Sequence, residues 1–181
     1  MTQIPATGGR INAPITHRVL GVDTSLRSTG LGGVSATGQQ MSTFCRERVR
    51  IPPGRPLSDC LAALYAGIEK ALDEGAPDAL AIEGAFFSRN VRTAMLLGHA
   101  RGVVIAAAAA RAIPVFEYAP RRVKQAAVGY GAASKTQVQE MIRRILNLDA
   151  LPQEDIADAL ALAVCHLHQW IRLPAMRPEP I

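Results

Sequence analysis

Arg18-Val19-Leu20-Gly21-Val22-Asp23 is apolar on both faces and ends in an acid. That is the pattern of a strand covered on both sides, as at the centre of a layered sheet. Outward from it, residues 24–29 read as a turn, and 30–35 and 40–49 as two further strands of a meander, turning near Gly38. Pro52, Pro53 and Gly54 break the chain. Leu57, Leu61, Leu64, Tyr65, Ile68 and Leu72 then recur at helical spacing up to Gly75. Residues 79–83 read as a short strand, the alanine-rich 91–112 as a helix, and 113–118 as a last strand. Three helices follow over 120–128, 134–147 and 153–169. The order βββαβαβααα predicts an α/β domain of three layers with a five-stranded mixed sheet flanked by helices. The first three strands are antiparallel, and helical crossovers join the last two. Residues 1–17 read as a flexible N-terminal tail, 18–170 as the domain and 171–181 as a C-terminal tail.

A chain of 181 residues with 49% hydrophobic and 19% charged residues can bury a full core, which excludes a disordered chain or a disulfide-stapled miniature. Cys45, Cys60 and Cys165 are widely spaced and form no paired framework, which points to a reduced, cytoplasmic setting. The longest strongly apolar run, 102–110, falls far short of the roughly 20 residues that span a bilayer, so no membrane association is expected. The net charge is +5, and six bases (Arg121, Arg122, Lys124, Lys135, Arg143, Arg144) lie between residues 119 and 144 against Glu140 alone. A basic stretch on a neutral body marks either a polyanion footprint or a solvated helix face.

Asp23 and Glu83 each close an apolar strand, and the carboxyl ends of parallel strands are where α/β sheets place their sites. Asp155 and Asp158 stand three apart, about 60° around a helix axis, at the entry to an apolar helix. Acids at a helix start are common for reasons of the dipole alone. Four oxygen ligands together suit Mg²⁺ or Mn²⁺. Two such ions about 4 Å apart serve phosphodiester cleavage. Ser134 is a candidate N-cap, which puts Lys135 at a helix start that favours phosphate. Arg143 and Arg144 lie late in the same helix, where they complement its dipole or face DNA. His166 and His168, two apart, read as solvated.

The segments VLGVDTSLRSTGLGGV, ALAIEGAFFSRNVRTAMLLGHARGVVIAAAA, IPVFEYAPRRVKQAAVGYGAASKTQVQ and DIADALALAVCHLH resemble the RuvC Holliday junction resolvases, members of the RNase H-like nuclease superfamily. The resemblance runs from about Arg18 to His168. It implies an RNase H-like fold and a crossover junction endodeoxyribonuclease that resolves four-way DNA in recombination and repair by paired symmetric nicks. It implies Asp23, Glu83, Asp155 and Asp158 as catalytic metal ligands, Asp158 being the more constant of the last two, and two Mg²⁺ per subunit with Mn²⁺ as a substitute. Phe86 matches an aromatic that stacks on DNA, and Lys124 and Lys135 match lysines facing phosphates. Arg89 and Asn90 continue the polar loop beside Phe86 as further backbone contacts. The family works as a homodimer and alongside a branch-migration motor. The apolar stripe Leu96, Leu97, Val103 and Val104 then serves both core and dimer seam. One departure stands out. Where the family has Asp-Pro-Gly, Asp23 is followed by Thr24 and Ser25, so hydroxyl bonds are expected to hold the turn. The competing readings are a non-cutting junction-binding module and another RNase H-like nuclease.

Overall fold

The computed structural model describes residues 16–84, 90–171 and 177–181. The chain runs β1 (Thr16–Asp23), β2 (Ser28–Thr37), β3 (Gln40–Arg50), α1 (Leu57–Gly75), β4 (Ala79–Glu83), α2 (Val91–Ala109), β5 (Val115–Tyr118), α3 (Pro120–Val128), α4 (Lys135–Ile145) and α5 (Glu154–Trp170). The strands form one sheet in the order β3-β2-β1-β4-β5. β1, β2 and β3 pair antiparallel, and β4 and β5 add in parallel through the crossovers α1 and α2. This is the mixed three-layer architecture expected from the element order.

β1 is central because both of its faces are buried. Leu20 and Val22 pack with Leu64, Ile68 and Val104 of α1 and α2, while Val19 packs with Leu160 and Val164 of α5 on the other side. α3, α4 and α5 cover that second face. α2 is long and apolar enough by composition to cross a membrane. Here Ala100, Val104, Ala107 and Ala108 of α2 turn into the core, while Val91, Met95 and Leu97 are exposed.

The boundaries differ from the expectation where tertiary contacts extend or end an element. Thr16 and His17, assigned to the tail, are strand: the Thr16 and Thr37 hydroxyls lie 2.8 Å apart, and the His17 ring stacks on Trp170. α2 stops at Ala109, short of 112, and Ala112 takes a left-handed conformation as the chain turns into β5. In the C-terminal segment, Arg177 lies over the Trp170 ring and the Ile181 N–H donates to the Val115 carbonyl.

His166 corrects a second expectation. It is fully buried, whereas His168 is exposed. Its Nδ1 lies 2.7 Å from the Tyr118 hydroxyl and its Nε2 3.4 Å from Nε2 of His17. Burial pushes its pKa down to about 3, so the ring is neutral. The misreading has a geometric cause: His166 faces the sheet, between Phe116 and Tyr118 of β5 and His17 of β1, with Trp170 of α5 beside it.

Candidate active site

Asp23 ends β1, and its neighbour in the antiparallel register is Gly30. The turn that follows is closed by hydroxyls. Ser25 N–H donates to Thr29 Oγ1 (3.2 Å), Ser28 N–H donates to Ser25 Oγ (3.0 Å), and Thr29 Oγ1 donates to the Ser25 carbonyl. Side-chain bonds therefore do the work that fixed proline and glycine torsions do in an Asp-Pro-Gly turn.

α5 brings its acids to this turn by lying directly on glycines of the sheet. A Cβ at Gly21 would stand 1.9 Å from the Ala159 carbonyl oxygen, one at Gly30 1.9 Å from that of Asp155, and one at Gly32 2.4 Å from Leu160 N. The facing residues Ala159 and Ala163 of α5 are equally small. Helix and sheet backbones thus approach more closely than side chains would permit, and the start of α5 is delivered beside the ends of β1 and β4.

Asp23, Glu83 and Asp158 line one cleft of about 220 Å³ with Lys124 of α3, Lys135 of α4, Pro120, Val123, Val138 and Leu162. Burial, with Asp158, Glu83 and Asp155 nearby, raises the Asp23 pKa from 3.8 to about 7. Glu83 is raised by burial and by Asp158. Asp158 is raised by burial, opposed chiefly by Lys135. Three acids are therefore held, partly desolvated, where their charges repel, an arrangement that calls for cations. Lys135 supplies one: it pairs with Glu154 and lies 3.8 Å from Asp158. Ser134 caps α4 in a capping box with Gln137, which places Lys135 at the first helical position.

Asp155 is held differently. It accepts a hydrogen bond from Ser28 Oγ and lies 3.6 Å from the Arg48 guanidinium. Neither partner carries a motif. Ser28 and Arg48 meet Asp155 only through the register of β2 and β3, where Gly30 stands opposite Arg48. Of the other expected contacts, Asn90 caps α2, its side chain accepting from Thr93 N–H. Phe86 and Arg89 lie outside the described residues. Arg143 and Arg144 both pair with Glu140.

Residues 19–166 match the family profile described as crossover junction endodeoxyribonuclease RuvC. The chain belongs to the RuvC family. It is 44% identical over 149 residues to the crossover junction endodeoxyribonuclease RuvC of Ruminiclostridium cellulolyticum, covering 82% of this chain and 90% of that protein. It is 47% identical to the RuvC of Photorhabdus laumondii, covering 83% and 86%. The fold superposes on Thermus thermophilus RuvC in complex with Holliday junction substrate with a TM-score of 0.84 at 33% identity, over 91% of this chain and 99% of that one. A yeast mitochondrial Holliday junction resolvase shares the fold alone, at 15% identity and a TM-score of 0.59.

The donor set of this RuvC chain fits a hard divalent ion. It consists of carboxylate oxygens, and beside Asp23 the Thr24 hydroxyl is buried without a hydrogen-bond partner among the described residues. As the side chains stand, no three His, Cys, Asp or Glu among the described residues are gathered closely enough to hold an ion. Lys135 lies against Oδ2 of Asp158, and Ser28 and Arg48 both reach Oδ2 of Asp155.

The raised pKa of Asp23 has a measurable consequence in metal-free protein. Between pH 3.8 and about 7 the folded state keeps a proton that the unfolded state has released. The associated stability is full below pH 3.8 and is lost as pH rises through 7. Asp23→Asn removes this loss. In EDTA, the melting temperature of the variant relative to the parent is expected to be lowest near pH 4 and to climb to a plateau above pH 7. A difference independent of pH would mean that Asp23 ionises normally. The comparison cancels the contribution of His166, which has the opposite sign: its depressed pKa costs stability as pH falls below 6.5.

Proposed function

We propose that this RuvC-family chain is a metal-dependent endodeoxyribonuclease that resolves four-way DNA junctions by paired symmetric nicks, in homologous recombination and DNA repair. The observation that carries the reading is the cleft itself, where Asp23, Glu83 and Asp158 face Lys124 and Lys135. Asp23, Glu83, Asp158 and Asp155 would hold two Mg²⁺ per subunit, with Mn²⁺ as a substitute. Such ions supply positive charge at the attacking water and the leaving oxygen. Lys124 and Lys135 bind the phosphates that flank the scissile bond and fix the strand for in-line attack. Phe86 stacks on a base at the branch point, with Arg89 and Asn90 on the adjoining backbone. The working form is a cytoplasmic homodimer joined through the exposed apolar residues of α2 (Val91, Met95 and Leu97), to which a branch-migration motor docks.

A mobile four-way junction incubated with the protein and Mg²⁺ is expected to give paired nicks in two strands of like polarity on a denaturing gel. A shifted but uncut junction would make the chain a binding module. Cutting of RNA–DNA hybrids in preference to junctions would place it elsewhere in the RNase H-like superfamily. Lys124→Ala and Lys135→Ala should each weaken junction binding and flatten its salt dependence by about 0.9 in log–log slope per bound subunit.

A further inference from the structure

Part of the charge that the sequence concentrates in one window is engaged within the fold, and part of the free charge lies elsewhere. Of the six bases between residues 119 and 144, Arg143 and Arg144 pair with Glu140, Lys135 pairs with Glu154, and Arg122 bonds Gln169. On β3, by contrast, Arg46, Arg48 and Arg50 alternate along one edge strand. Gly32, Gly30 and Ser28 are their partners on β2, and Cβ atoms at Gly30 and Gly32 would point into α5. The three arginines therefore share the face of the sheet that carries α5 and the acidic cleft. The residues between them face the other way: Glu47 pairs with Lys70 of α1, and Val49 packs against Gly67.

Arg48 is the hinge between this stripe and the site. It stands in register with Gly30, which is in turn in register with Asp23, and its guanidinium reaches Asp155. Two strand spacings, about 10 Å, separate its backbone from that of Asp23. Arg46 and Arg50 are exposed, and their side chains make no hydrogen bond or ion pair among the described residues. Alternate residues of a strand are about 6.8 Å apart, a step of the same order as that between successive phosphates on one DNA strand.

We propose that Arg46 and Arg50, in line with Arg48, form a backbone track for one arm of the junction, leading from the cleft across the start of α5 to the β3 edge. The occupant is the phosphodiester backbone, read without regard to sequence, since guanidinium groups on an exposed edge meet phosphates and not base edges. Unpaired arginines also discourage edge-to-edge strand pairing, which is the competing account of their presence. The inference rests on the junction-resolving reading.

The test is the salt dependence of four-way junction binding by the full chain in Ca²⁺, followed by fluorescence anisotropy from 50 to 300 mM NaCl. Each lost duplex-phosphate contact lowers the log–log slope by about 0.9. Arg46→Gln/Arg50→Gln should therefore lower it by about 1.8 per bound subunit, each single variant by about half of that, and Arg46→Lys/Arg50→Lys should restore it. Lys70→Ala, on the opposite face, should leave it unchanged. A parental slope in both single variants and in the double variant, with junction binding intact in the parent, overturns the track and leaves the resolvase reading standing. Failure of the parent to bind the junction overturns the resolvase reading and the track with it. Equal slopes with aggregation of the double variant assign the arginines to edge protection instead.

Discussion

Asp23→Asn, Glu83→Gln and Asp158→Asn are each expected to slow junction cleavage by more than about 10³-fold while leaving junction binding unchanged or slightly tighter. Each substitution is nearly isosteric and removes one negative charge from a cleft in which three carboxylates already repel one another. On the proposed reading the loss falls on the metal ions that these acids would hold, not on the fold. Loss of a carboxylate also lowers the repulsion of DNA, so affinity has no reason to fall. Asp155→Asn should cost less, about 10- to 100-fold, because Asp155 is shared with Ser28 and Arg48 at the rim of the cluster. Single-turnover cleavage on denaturing gels beside binding in Ca²⁺ separates the two effects. Parental cleavage rates in all three of the first variants would remove the metal assignment.

Gly21→Ala is expected to be strongly destabilising. Its Cβ would meet the Ala159 carbonyl oxygen at 1.9 Å and Ala163 N at 2.9 Å, backbone atoms that no rotamer change can move. Relief requires α5 to lift from the sheet, and α5 carries Asp155 and Asp158. Overpacking of this kind costs about 3 kcal/mol, a drop of about 6–12 °C in melting temperature for a domain of this size. The surviving folded fraction should also lose cleavage activity, because Asp158 is displaced from Asp23. Gly98→Ala makes the contrast. Gly98 lies inside α2 with nothing within 4 Å of its would-be Cβ. There alanine should raise stability by about 0.5–1 kcal/mol through helix propensity. Equal melting temperatures for Gly21→Ala and the parent would show that α5 is not seated on this glycine.

The elements and their order were legible because hydrophobic periodicity reports burial locally. α1, β4 and α3 have the expected limits, and the other elements shift by a few residues where pairing extends or stops them. That Asp23, Glu83 and Asp158 would stand out was legible for a related reason, since an acid that ends an apolar strand or opens an apolar helix is costly to bury, and the three do line one cleft. A hydroxyl-held turn after Asp23 was legible from Ser25, since such side chains bond their own backbone within a few residues, but the Thr24 hydroxyl bonds none of the described residues and Thr29 supplies the other hydroxyl. Ser28 and Arg48 were not, because only the β2–β3 register and the seating of α5 bring them to Asp155. His166 was misread because helical spacing gives its angle around α5 but not the number of sides on which α5 is covered.

The amino-acid order by itself determined which residues could be strand, helix or ligand, since these follow from propensity, periodicity and charge within a few residues of chain. The tertiary structure decided how closely those pieces meet. Arg18–Asp23 identified a central strand ending in an acid, but its Gly21 shows its purpose only against Ala159 and Ala163 of a helix about 140 residues away. The +5 excess lay in one basic window of the sequence, yet ion pairing within the fold neutralises part of that window and leaves Arg46 and Arg50 of β3 unpaired among the described residues. Charge is counted along the chain, but a phosphate meets only what the fold brings to one surface.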